Sequence, residues 1–385
     1  MKKLVISVVT LFAFTLCVNA DVIYISTFEE LCLIGNHENY PLDGDYELTN
    51  HIDASPSKNM NNGQGFKPIR FNGNFNGNGF KIKNLYINRP KEGVIGLFGR
   101  IIAPAVIKNL GLEDVYVNGE QNVGGLVGYS QSVSGRDRPI ISQCYTTGTV
   151  IANNRYVGGL VGNNEGLIYD SYSTAHVEGA GTFPKGGLAG CHSGTIYNSY
   201  SIGVVLIIFS DNTPWPGDGL TGGIINSSGG DPLGGDALNS YWDYETSGTM
   251  TSKGGEGKTT EEMMRKATFV DWDFETIWQI DEGKDYPKLR VFESKGSSVF
   301  GGRVSRNPKN GALPCISVKG RTLNISTPIN SAYNIRLVDM RGRTSARFSA
   351  SGSGSFSLAK LPSGRYIAEV KTAGTKTTTA IMVQR

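Results

Sequence analysis

Among the carboxylates in the middle of this 385-residue chain are Glu113, Asp114, Glu165, Asp170 and Glu178. Two carboxylates facing each other across a sugar chain can hydrolyse a glycosidic bond, one as acid and the other as base or nucleophile. An Asp cluster holding calcium, with a Lys or Arg base, would suit a polysaccharide lyase instead. These five do not fall at one shared place in the repeated phrases around them, so no column stacks two of them. Asp271 and Asp273 flank Trp272 and would share a face of a strand. No other site group accompanies them, and they read as part of a cap. His37, His51, His176 and His192 stand alone in the sequence. No Cys or His spacing matches a zinc site. The run Phe71–Phe80 is rich in Asn-Gly but lacks the Lys-Ser/Thr of a phosphate-binding loop, and no helix pattern follows it. It reads as turns between short strands, and no cofactor is expected.

The element that must position any such residue is a repeat. VGGLVG occurs at Val123–Gly128 and again at Val157–Gly162, weakening to GGLAG at Gly186–Gly190 and GGIIN at Gly222–Asn226; IGLFG at Ile95–Gly99 is an earlier relative. Registered on Leu97, Leu126, Leu160, Leu188 and Ile224, the steps are 29, 34, 28 and 36 residues. Such spacing marks a repeat architecture. A second phrase precedes each return and superposes into columns. The aliphatic column is Ile82, Ile107, Ile141, Ile168, Ile196 and Ala237. The polar column is Asn84, Asn109, Gln143, Asp170, Asn198 and Asn239. The aromatic column is Tyr86, Gly111, Tyr145, Tyr172, Tyr200 and Tyr241, with one gap. Amides in such a stack are expected to bond from coil to coil. Cys144 stands where sister repeats have Leu110, Ser171 and Ser199, and reads as a small buried residue.

Each repeat holds two or three short β-like runs and no room for an ordinary helix. A β-propeller blade needs about 40 residues or more. The expected fold is therefore all-β: a right-handed parallel β-helix (β-solenoid) with short capping helices, followed by a small Ig-like β-sandwich. Ser26–Glu30 offers two overlapping capping boxes, Ser26 with Glu29 and Thr27 with Glu30, and Gly35 ends that helix. Thr259–Glu262 starts another. Aromatic bulk from Phe269 to Ile280 is expected to plug the final coil. Val204–Gly219 interrupts the fourth repeat, and insertions in solenoids map to one face. There Trp215, between Pro214 and Pro216, is a candidate platform for a sugar ring.

Lys2 and Lys3 followed by the apolar run Leu4–Cys17 and Val18-Asn19-Ala20 read as a signal peptide cleaved after Ala20. The run is too short to span a bilayer, where about 20 residues are needed, and no transmembrane helix is expected. Four cysteines remain after it, Cys32, Cys144, Cys191 and Cys315, too scattered for a disulfide framework. The net charge of +3 hides a split: residues 296–385 carry 14 Lys+Arg against 2 Asp+Glu, and residues 21–295 carry 21 against 32. Such asymmetry suggests two units with different tasks. For an exported chain a basic tail does not imply nucleic acid. The divisions are then 1–20 signal peptide, 21–104 N-terminal cap and first coils, 105–236 repeat solenoid, 237–290 C-terminal cap, 291–312 linker and 313–385 β-sandwich.

The repeats, with FEELCLIGN, FNGNFNGNGFKIKNLYINRP, YWDYETSG and GGEGKTT around them, resemble GLUG-repeat proteins across roughly Val22–Leu289. That resemblance implies a bacterial surface or secreted protein, adhesins among them. It carries no catalytic residue, and the HExxH of peptidases found beside such repeats is absent. GRTLNIS, Leu337–Arg343 and Leu361–Val370 are similar to the C-terminal sorting domains of the type IX secretion route, which implies an export and anchoring address.

The function expected is non-enzymatic: a secreted or outer-cell-surface protein whose solenoid mediates adhesion to polysaccharide or to a host or neighbouring cell. Trp215, Tyr145, Tyr172 and Tyr200 are the candidate ligand-binding residues, and the C-terminal domain would engage secretion and anchoring machinery. The alternatives are a polysaccharide-active lyase or glycoside hydrolase on the same scaffold, or a passive spacer.

Overall fold

The computed structural model describes residues 22–295 except 134–136, 182, 209–213, 218 and 220–234, and residues 315–383 except short connections. The stretch expected to be a signal peptide and the GGIIN phrase lie outside the described residues. So does most of the linker.

From Ile23 to Lys258 the backbone winds as stacked coils whose strands pair in parallel with the coil before and after. Each coil lays one strand on each of three sheets. The first face holds eight strands, from Ile23–Ile25 to Asp236–Leu238. The second face is the largest and carries the long strands Gly111–Gly124 and Tyr145–Gly158. The third runs through Ile69–Phe71, Phe98–Ile102, Val127–Gln131, Val161–Asn164 and Ala189–His192. Inward positions fill the core. Ile107, Ile141, Ile168 and Ile196 pair in sequence on the first face and are fully buried. So are Leu97, Leu126, Leu160 and Leu188 at the corner between the second and third faces. Burying one such side chain contributes roughly 1.5–3 kcal/mol, which is why the aliphatic columns tolerate little polarity.

The start of the array is registered differently from the sequence expectation. Ile82 and Tyr86 belong to the second face, where Ile82 pairs with Leu112 and Tyr86 with Tyr116. The partner of Ile107 on the first face is Phe75, not Ile82. The segments 82–88 and 112–118 share one pattern, aliphatic-polar-aromatic, that also occurs on the first face. Pattern alone does not separate them.

The polar column is a set of corners. Asn84, Asn109, Gln143, Asp170, Asn198 and Asn239 all have φ between 45° and 59°. Asn and Asp enter this left-handed region at least cost after glycine. The backbone N–H of Gln143 donates to Tyr169 and that of Asp170 to Tyr197, so the corner keeps the coil-to-coil ladder through the main chain. The side chains do not form the expected amide stack: Asn109 donates to Asn76, and Asn84 donates to Asp53. An amide stack does exist on the second face, where Asn118 donates to Asn88 and Asn153 to Asn118, both at 2.9 Å.

One residue past each corner runs a ladder of small side chains. Ser171 Oγ accepts from Cys144 N, Ser199 Oγ from Ser171 N, and Ser240 Oγ from Ser199 N. Cys144 heads it as the small buried residue expected, and burial pushes its thiol up to about 12.

The glycines of VGGLVG allow backbone to meet backbone. Gly125 N donates to Gly159 O, Gly159 N to Gly187 O, and Gly187 N to Gly219 O. A Cβ on Gly125 would stand 2.7 Å from Gly159 O, and one on Gly159 would collide with the Ser173 hydroxyl. The rung after Gly187 is thus Gly219. It is not the GGIIN phrase that the sequence register supplied.

The N-terminal helix, Phe28–Leu33, uses the Thr27–Glu30 capping box; the Glu30 carboxylate accepts from the backbone N–H groups of Ser26 and Thr27 and from the Ser26 hydroxyl, and the Thr27 hydroxyl accepts from Glu30 N. Phe28, Leu31 and Ile34 join the solenoid core. At the other end Glu256–Lys258 adds the last parallel rung, and the helix Thr260–Met263 follows.

The aromatic segment after it does not plug the end. It turns back and runs along the outside of the second face. Trp272 donates to Asn239 O, Trp278 donates to Asp170 Oδ1, Phe292 packs edge-on against Tyr145 at 4.7 Å, and Val291 O lies against Gly79. This strap crosses the coils in reverse order, from the last to an early one. It continues through Arg290–Lys295, inside the stretch expected to be linker.

The C-terminal unit is a separate all-β body. Cys315–Lys319, Thr322–Ser326 and Gly354–Ser357 form one antiparallel sheet; Thr344–Ser351, Ala332–Asp339, Gly364–Thr372 and Lys376–Val383 form a second. Leu323, Ile325, Ile335, Leu337, Ala368 and Val370 share one core between them.

Candidate binding face

The solenoid's outward side chains divide into covered and open rows. The covered row is the aromatic column. Tyr145 and Tyr172 stack at 4.8 Å with rings 3° from parallel, and Tyr172 and Tyr200 at 4.9 Å and 6°. Stacked rings one coil apart could line a sugar site, but the strap roofs them. Trp278, with no exposed surface, packs on Tyr172 and Tyr200, and Tyr200 donates to Pro287 O. Tyr145 is 4% exposed and Tyr200 2%. Burial raises the phenols of Tyr145, Tyr172 and Tyr200 far above their ordinary range. Of the candidate ligand residues, Tyr145 and Tyr200 are therefore buried, and Tyr172, which is part-exposed, has its two ring faces taken by them. The fourth, Trp215, lies on the backbone strand Pro214–Pro216, antiparallel to Val205–Ile208 with Trp215 opposite Ile207. Its side chain lies outside the described residues.

Two lysines and a carboxylate converge on the second face. Glu113 accepts from Lys81 at 2.7 Å, Lys83 at 2.9 Å and the Tyr145 hydroxyl at 2.7 Å. Burial alone would raise its carboxyl, but these hydrogen bonds outweigh burial and hold it down to about 2. The ionised carboxylate, held by two lysines and a tyrosine from neighbouring coils, braces the coils against one another. Asp170, Glu178 and Asp273 are also engaged. Asp170 accepts from Trp278, and Glu178 pairs with His176 at 2.6 Å. Asp273 accepts from Glu275 N and Thr276 N. Among the described residues, no three His, Cys, Asp or Glu side chains converge as metal ligands would.

His192 is 3% exposed and points inward on the third face, stacked on Asn164. Asn164 Nδ2 lies 3.1 Å from its Nδ1, and its Nε2 lies 3.3 Å from Asp236 O. Burial holds its imidazole down to about 4, so it is neutral in the fold.

The open row is on the third face. Consecutive rungs pair Arg70 with Arg100, Arg100 with Tyr129, Tyr129 with Asn163, and Asn163 with Cys191. Their inward neighbours, Phe71, Ile101, Ser130, Asn164 and His192, are buried, so the row faces out from Arg70 to Asn163 and closes at Cys191, which is itself buried. The Arg100 guanidinium sits 5.3 Å from the Tyr129 ring centre and donates to Gln131 Oε1 at 3.3 Å. The Tyr129 hydroxyl donates to Glu165, which also accepts from Ser132 N and Oγ. Sequence superposition missed this row because it falls after the glycine phrase, where residue types change from coil to coil. The two-residue alternation that aims Arg100 and Tyr129 outward was its only signal.

Comparison with known proteins adds the following. The family described as "The GLUG motif" matches residues 153–178. That span starts on the second face, turns the glycine corner, crosses the third and first faces, and ends on the second face again. It is close to one full coil. Over 130 residues the chain is 38% identical to Halomucin of Haloquadratum walsbyi, covering 31% of this chain and 1% of that protein. Over 108 residues it is 34% identical to a protein of Evansella cellulosilytica named as a Gly-rich membrane protein, covering 26% of this chain and 12% of the relative. The chain thus spans a small part of both curated relatives. A crystal structure of a Bacteroides ovatus protein, provisionally named an immunoglobulin A1 protease, aligns with a TM-score of 0.47 at 19% identity over 70% of this chain and 92% of the other.

Proposed function

We propose that this chain is an exported surface protein whose solenoid binds carbohydrate or a cell surface without chemical turnover. The observation that carries this reading is the open third-face row. It sets arginine, tyrosine and amide side chains outward on successive strands, about 4.8 Å apart. A repeating ligand such as a polysaccharide can meet such a row one unit after another. The names of the two relatives, a mucin-like name and a membrane protein, support a surface location. Among the described residues no helix is long and apolar enough to cross a membrane. The basic C-terminal unit, with its own core, is proposed as the export and anchoring address.

The test is retention of the purified full chain on a panel of insoluble polysaccharides and intact cells, with soluble sugar release assayed in parallel. Retention without release supports binding. Release of sugars would overturn it in favour of a polysaccharide-active enzyme. Retention on nothing would leave the spacer reading.

A further inference from the structure

Two arginines face each other on adjacent rungs of an otherwise acidic solenoid. Arg70 is exposed and pairs in register with Arg100. Like charges directly opposite on paired strands are destabilising. Among the described residues neither has an acidic partner within ion-pair distance. The surrounding residues 21–295 carry 32 acidic against 21 basic side chains, so acids were at hand and are not used here. The Arg100 fork is also held in place. Tyr129 lies beneath it, and one N–H goes to Gln131. A guanidinium has five donors, and a fixed fork suits a carboxylate or sulfate bidentately.

We infer that Arg70, Arg100 and Tyr129 form a subsite for the acidic group of an anionic polysaccharide laid along the third face. This rests on the carbohydrate-binding reading above. The polarity follows from the neighbours. Glu165 lies beyond Tyr129 on the side away from Arg70 and would repel an anion. Lys67 is exposed just ahead of the Arg70 strand and would attract one. The anionic group therefore sits between Tyr129 and Arg70, and the Tyr129 side chain bounds the subsite at the Glu165 end. Uronate carboxylates and sulfate esters present the same chemistry to the fork.

The experiment is affinity electrophoresis of the full chain in gels holding polygalacturonate, a sulfated glycan, a neutral glucan or duplex DNA. Retardation by polygalacturonate that weakens with salt is expected, and the R70Q/R100Q double variant should weaken it about tenfold or more. R100K keeps charge but loses the fork and should fall between. Thermal midpoints equal to or above the parent would show that the variants fold, since a repulsion has been removed. Equal retardation by the sulfated glycan supports the same subsite with ester as ligand. Retardation that R70Q/R100Q leaves unchanged, or that occurs only with neutral glucan, overturns the subsite and leaves carbohydrate binding standing. Retardation by DNA matching that by polygalacturonate overturns it as a glycan site. No retardation in any gel sinks the carbohydrate reading itself.

Discussion

Gly111 lies directly beneath the ring of Tyr145: a Cβ built on Gly111 would stand 2.6 Å from the ring. The one gap in the aromatic column is thus filled from the next coil. The ring cannot step aside easily, because its hydroxyl is bonded to Glu113, Tyr172 stacks on it, and Phe292 packs against it edge to face. Gly111→Ala should cost roughly 1–3 kcal/mol by overpacking. Adding Tyr145→Ala should make the Gly111 change nearly free. Denaturant midpoints for the two singles and the double form the cycle; additive effects would contradict the contact.

Gln143 is the member of the corner column least suited to its φ of 51°. Gln143→Gly should raise the thermal midpoint, and Gln143→Val should lower it by about 1–2 kcal/mol of stability. Equal midpoints for Gly and Val would mean that the corner is not strained.

Trp278 should be the keystone of the strap. Trp278→Ala is expected to cost about 3–5 kcal/mol. Tyrosine nitration should then reach Tyr200, which is 2% exposed in the parent. Unchanged labelling would show that the column is covered by something other than this side chain.

Acid should weaken the fold in two separate steps. His192 is neutral in the fold with its value lowered from 6.5 to about 4, so the unfolded chain takes up the proton first. Stability is full above pH 6.5 and falls between there and about 4. Glu113 is lowered from 4.5 to about 2, so its contribution is present above 4.5 and lost as pH falls through about 2. His192→Gln should flatten the upper limb and Glu113→Gln the lower. A midpoint independent of pH between 6.5 and 4 in the parent would refute the first.

The coil was legible because its core is written in aliphatic columns and its corners in glycine and Asn. Leu97, Leu126, Leu160 and Leu188 do stack, and Cys144 does sit in a ladder of small residues. The errors came where local pattern is shared or the contact is distant. Ile82 and Ile107 look alike in sequence yet lie on different faces. The aromatic bulk after Thr268 announces burial but not a partner. Trp278 meets Asp170 across 108 residues, and no spacing rule reaches that far. The tyrosines looked like a platform for the same reason: their cover is written elsewhere in the chain.

A stack of coils ordinarily loses order from its ends, one rung at a time, because each unit knows only its neighbours. The returning strap changes that arithmetic. Its Val291 end touches the coil of Gly79 while its Trp272 end holds the coil of Asn239. Fraying of the last rung must pull on an early one, so melting should be a single sharp transition. During synthesis the coils also emerge before the segment that clasps them, and the array becomes cooperative only once Trp272 to Phe292 have followed.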